Sequence, residues 1–179
     1  MSLIRAWNTF WFGPISARPL GAFRIAFGLL CLCNLGLLSL ELDYWFTDAG
    51  LLQGAEGDSV AGPLRFSILN YVQDPISVRI FFVATAAVAV LFTLGWRTRL
   101  MSVLLYVMSL MIHHRNTATS SGADVMLVIT AFYLMFSPCG AAYSLDARRA
   151  SKRRRPLAEP LIAPWAQRPT QLQIALLYL

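Results

Sequence analysis

Long apolar runs broken by short polar stretches organise this chain, and the runs have the length of helices that cross a lipid bilayer. Residues 19–40 form a 22-residue stretch in which Arg24 and Asn34 are the strongly polar positions. At about 1.5 Å of rise per residue it reaches about 33 Å, against a hydrocarbon core of about 30 Å. Pro19 suits a first helical turn, where its missing N–H is not needed. Arg24, about one turn in, is expected to snorkel back to the interface. Gly21, Gly28 and Gly36 are places where a neighbouring helix can come close. A second run covers residues 76–94 and ends at Gly95-Trp96-Arg97-Thr98-Arg99. The third, residues 100–112, has 13 residues, and reaches across if Arg97 and Arg99 snorkel at one end and the His113–Asn116 group sits at the other. The fourth runs over residues 125–143, with Pro138 and Gly140 bending or ending it near one interface. Apolar, helix-like sequence resumes at residues 170–179. Those ten residues make about 15 Å of helix, so a fifth span is expected to begin there and to continue past Leu179. The pattern predicts an all-α fold: a polytopic transmembrane helical bundle of four complete spans plus the start of a fifth.

The polar breaks have characters of their own. Residues 1–17 include a short aromatic, amphipathic segment (2–12) expected to lie in the headgroup layer, where Trp is favoured. It is not a signal peptide, because the next apolar run is long and lacks a small-residue cleavage site. Residues 41–75 scatter glycines among acids and read as a loop with a short surface helix around 64–71. Residues 146–169 form a basic, Pro-rich connector. The whole chain reads as a single domain without internal repeats.

Composition sharpens the class. Of 179 residues 57% are hydrophobic and 13% charged, about half the charge supply of a soluble domain. A soluble fold of this length could not hide so much apolar surface, whereas a bilayer removes the problem by acting as the solvent. Cys31, Cys33 and Cys139 form no C-x-x-C pair and sit in or beside apolar runs, where free Cys packs as a small hydrophobe.

Charge then orients the bundle. Of 15 basic residues, 12 fall on one side: Arg5, Arg18 and Arg24, then Arg97 and Arg99, then the seven between 148 and 168. Arg65, Arg79 and Arg115 share the other side with seven of the nine acids. The positive-inside rule places the N-terminus and the basic connector in the cytoplasm, with the plasma (inner) membrane as the expected location. Residues 148–155 are the kind of run that can bind nucleic acid. Beside a span, such a run more often fixes topology or touches anionic lipid. The expected partners are therefore the bilayer and its anionic headgroups, with no nucleic acid; protein partners are not readable.

Candidate chemistry gathers at the other side. His113, His114, Arg115 and Asn116 close the third run, and Gly122-Ala123-Asp124 opens the fourth. Ionisable groups at membrane depth mark function by default; His moves protons near neutral pH, and Asp124 could orient an imidazole or pair with Arg115. The competing reading has Asp124 capping its helix while the His-His-Arg-Asn group decorates an interface. Adjacent histidines point about 100° apart on a helix, so no metal site is expected. Arg24 and Asn34 lie near one stripe of the first run, and an interhelical hydrogen bond suits Asn34 better than substrate binding. No phosphate loop, dinucleotide fingerprint, nucleophile elbow or zinc spacing is present.

Five blocks follow one another along the chain: Arg18-Pro-Leu-Gly-Ala-Phe-Arg-Ile-Ala-Phe-Gly, Leu94-Gly-Trp-Arg-Thr-Arg, His113-His-Arg-Asn, Gly122-Ala-Asp-Val and Phe136-Ser-Pro-Cys-Gly-Ala-Ala-Tyr-Ser-Leu-Asp. Together they resemble the horizontally transferred transmembrane (HTTM) family, related to the membrane part of vitamin K-dependent gamma-carboxylase. The resemblance implies a helical bundle with the His-Arg-Asn and Gly-x-Asp region facing the extracytoplasmic side. The residues themselves name no cofactor; the resemblance alone suggests a reduced quinone. In the carboxylase a lysine deprotonates that quinol, and its position would fall beyond Leu179. Lys152, the chain's one lysine, belongs to the basic connector on the opposite face and cannot replace it. Two functions stay open. One is a membrane enzyme, or its remnant, doing quinol- or lipid-linked chemistry at the outer face. The other is a non-catalytic immunity, sensor or maturation-accessory protein. A transporter fits less well, because the span interiors hold almost no polar groups from which to build a path.

Overall fold

Local signals start and stop the long helices. A computed structural model describes residues 3–47, 67–72, 74–115, 121–153, 161–162 and 167–177. Helix α1 (Leu3–Phe12) precedes a two-residue strand β1 (Ile15–Ser16), and α2 (Arg18–Leu40) carries Pro in its first turn. A short α3 (Leu42–Phe46) and one 3-10 turn (Ile68–Asn70) lead to α4 (Pro75–Leu94). There Asp74 accepts the Ser77 N–H at 3.1 Å, capping the helix, and Pro75 sits where no N–H is required. Gly95 ends α4 in the left-handed conformation (φ 73°), its N–H and that of Trp96 returning to Phe92 and Leu91 carbonyls. Then come α5 (Thr98–Arg115), α6 (Gly122–Phe136), α7 (Leu145–Arg153), β2 (Leu161–Ile162) and α8 (Arg168–Leu177).

The apolar run expected over residues 125–143 is helical only to Phe136. Ser137 is extended (ψ 146°), as a residue before proline prefers, and residues 137–144 fold into a tight turn. The stretch expected as connector from residue 146 contains α7, whose Ser144 cap accepts the Ala147 N–H at 2.8 Å. The surface helix expected around 64–71 is the 3-10 turn at Ile68–Asn70, and residues 64–66 lie outside the described residues.

Helices α2, α4, α5 and α6 pack in sequence order, each against the next. One core cluster joins Leu20, Phe27, Phe92, Met101 and Leu134, with Phe27 edge-on to Phe92. A second, at the far end, joins Leu35, Phe46, Val78, Phe82 and Ile112. Of the three α2 glycines, Gly28 meets a neighbouring helix, Gly21 meets the turn at residues 137–144, and Gly36 meets neither. A Cβ on Gly28 would lie 2.1 Å from the Thr93 hydroxyl and one on Gly21 2.7 Å from the Ala142 carbonyl, while Gly36 faces open space. The outward faces are apolar, with Leu29, Leu37, Ile80 and Val83 all more than half exposed. Water would penalise such a surface and lipid does not. Helices α2 and α4 are each long and apolar enough to cross a membrane. At one end β1 pairs antiparallel with β2, Ile15 opposite Ile162, and the Arg168 guanidinium lies 4.1 Å over the Phe10 ring.

Candidate functional site

Two polar nodes interrupt the apolar interior. At the first, Arg24 does not snorkel: it is 0% exposed. Its Nη1 donates to the carbonyls of Cys139 (2.8 Å) and Ala142 (3.2 Å), and its Nη2 to those of Tyr143 (2.7 Å) and Thr93 (3.4 Å). Thr93 lies in the last turn of α4, where helix carbonyls go unpaired and carry partial negative charge; Cys139, Ala142 and Tyr143 lie in the turn that follows α6. One guanidinium therefore ties the end of α4 to that turn through carbonyls. Beside it, Asp146 caps α5 from 48 residues away. Its carboxylate accepts the Arg97 N–H (3.0 Å), the Thr98 N–H (2.7 Å) and the Thr98 hydroxyl (2.8 Å). Burial works against the Asp146 charge, but the hydrogen bonds from Thr98 and Arg97 outweigh it and hold the carboxyl below the usual carboxylate range.

The second node opens α6. Asp124, the third residue of α6, closes a capping box: its Oδ2 accepts the Ser121 N–H at 2.7 Å, and the Ser121 oxygen accepts the Asp124 N–H at 3.4 Å. Its Oδ1 accepts from Asn34 Nδ2 at 3.1 Å, tying α2 to α6. His113, in the last turn of α5, is close enough to Asp124 for their charges to interact. Arg115, on the same turn, is buried, and His114 is half-buried. Asn116 lies outside the described residues. The fold therefore brings together Asn34, His113 and Asp124, while Arg24 belongs to the opposite node. Among the described residues no three His, Cys, Asp or Glu side chains converge as metal ligands.

From the Asn34–Asp124 pair an open groove of about 890 Å³ runs between α2 and α6, walled by Phe23, Phe27, Leu30, Met126 and Leu127. Residues 23, 27, 30 and 34 share one helical stripe, so the α2 wall was readable in the sequence as a face. Its partner wall was not, because nothing local says that α2 and α6 flank a gap. The same holds for the Asn34–Asp124 bond and the Asp146 cap. A second cavity of about 560 Å³ lies at the same end, beside Glu41, Tyr44 and Phe82, where Arg79 pairs with Asp43.

A helical domain with apolar outer faces and polar nodes at two depths is a membrane domain. The family model of the HTTM domain matches residues 12–179; the chain belongs to the HTTM family, whose domain is a membrane domain. No curated protein and no solved structure matches it.

Proposed function

We propose that this chain is a four-span domain of the plasma membrane, with its N-terminus in the cytoplasm, that binds a reduced-quinone-like lipid in the α2–α6 groove. The groove carries the reading: about 890 Å³, apolar along its walls and polar at one end, within the ~300–1,000 Å³ usual for small-molecule pockets. Phe23, Phe27 and Leu30 would hold the apolar body, and Asn34 with Asp124 would orient a hydroxylated head near His113. Helix α6 has 15 residues, about 22 Å, less than the hydrocarbon thickness of about 30 Å. That shortness supports an Asp124 set below the outer surface, where a lipid-phase ligand can meet it. A bound quinol would supply the redox chemistry; the chain's own residues exclude water, orient the head and place an imidazole beside it.

The full chain in nanodiscs, titrated with a short-chain ubiquinol or menaquinol, tests this by tryptophan quenching. Saturable quenching is expected for the native chain and a loss of at least tenfold in affinity for Ala26→Phe, which fills the groove. Equal quenching in both would overturn the assignment. One observation favours the non-catalytic alternative: both Asp124 oxygens are already engaged, by Ser121 and by Asn34. If Asp124→Asn binds quinol normally and turnover is absent in both forms, the groove serves a sensing or accessory role.

A further inference from the structure

The end of the bundle opposite the groove's polar mouth gathers arginines from segments fifty residues apart. Arg97 and Arg99 flank the start of α5, and Arg148 and Arg149 lie in the first turns of α7; all four are exposed. Asp146 holds the two segments together through Arg97 and Thr98, and the Asp146 N–H returns to the Gly95 carbonyl at 3.1 Å. Tyr143 at the start of this corner is fixed by Arg24. The arginines are thus mounted on a braced corner, not on a loose connector. Asp146 is the one acid described at this end, and its oxygens are committed to the α5 cap. Four arginines thus face a single described acid, which leaves the cluster with a net positive charge.

At the same end, Leu94 in the last turn of α4 and Leu100 and Leu104, one turn apart on α5, are exposed. Exposed charge and exposed apolar side chains therefore occur together at this end. A free anion has no use for the leucines, and a nucleic acid would be kept off by them; a phospholipid matches both.

We propose that Arg97, Arg99, Arg148 and Arg149 form a docking surface for the phosphate headgroup of an anionic phospholipid whose acyl chains lie along Leu94, Leu100 and Leu104. Arginine forks suit phosphate oxygens, and each basic residue near an anionic surface contributes roughly fivefold in affinity. The surface lies at the end opposite the groove's polar mouth and does not depend on what the groove binds.

Native mass spectrometry of the full chain in a non-ionic detergent provides the test, with phosphatidylglycerol, phosphatidylcholine and inorganic phosphate as probes. Phosphatidylglycerol adducts should exceed phosphatidylcholine adducts, and excess inorganic phosphate should not displace them. Arg97→Gln with Arg99→Gln, and Arg148→Gln with Arg149→Gln, should each lower the preference by roughly 25-fold, about fivefold per arginine. Unchanged melting of both variants would exclude misfolding as the cause. Equal adducts of the two lipids, a preference untouched by either variant, or displacement by inorganic phosphate or by a DNA oligonucleotide would each overturn the proposal.

Discussion

At the scale of single residues, space decides more than residue type. Gly28 and Gly36 look alike in sequence, two small residues in one apolar run. Yet a Cβ at 28 would strike a Thr93 hydroxyl already donating to the Ala89 carbonyl at 2.7 Å, and a Cβ at 36 would meet nothing. Gly28→Ala should therefore separate α2 from α4 and cost about 1–3 kcal/mol, the usual penalty of overpacking. Gly36→Ala should be neutral or stabilise by about 0.5–1 kcal/mol, because it removes glycine's entropy cost in a helix. Melting both variants in the same detergent reads the difference, and equal shifts would contradict the packing described. Arg24 shows the same lesson for charge. Its place one turn into an apolar run suggests snorkelling; its four carbonyl partners come from other segments, and no local pattern announces them.

Among the elements, those governed by local signals were legible and those governed by distant contacts were not. Residues 19–40 and 76–94 match α2 and α4 to within a residue, because proline, the Asp74 cap and Gly95 act on their own neighbours. Helix α6 stops short of the expected end. The apolar Ala141-Ala142-Tyr143 continue the hydropathy, while Pro138 and the Arg24 bonds bend the backbone. Helix α7 hides in a stretch that composition marks as connector. At the second node, the grouping of His113 with Asp124 was suggested by sequence, but Asn34 as the acceptor's partner was not. Asp146 allows a sharper prediction, since its depressed carboxyl favours the folded state only while ionised. That contribution is complete above the unfolded value near pH 4 and fades as pH falls through the lower folded value. At neutral pH Asp146→Ala should cost about 1–2 kcal/mol, as losing a helix cap does. The gap between the two melting curves should shrink below about pH 4. A gap constant from pH 7 to pH 3 would mean that the carboxylate's charge does not matter.

For the whole molecule, the two nodes have opposite chemistry and so define two ends. At one, Arg97, Arg99, Arg148 and Arg149 surround a single committed acid; at the other lie Glu41, Asp43, Asp74 and Asp124. On the proposed four-span reading, α2, α4, α5 and α6, which pack in sequence order, return their connections to alternate ends, and that path accounts for the charge separation. Arg24 ties the turn at residues 137–144 to the end of α4 through the Tyr143 and Thr93 carbonyls. The same proposal places the arginine-rich end in the cytoplasm, as the positive-inside rule expects. In a background with Cys33→Ser, a cysteine placed at exposed Tyr44 should react with a membrane-impermeant maleimide in intact cells. One placed at Arg149 should react only after permeabilisation. Labelling of both positions in intact cells would rule out the four-span path, and labelling of the Arg149 position alone would invert it.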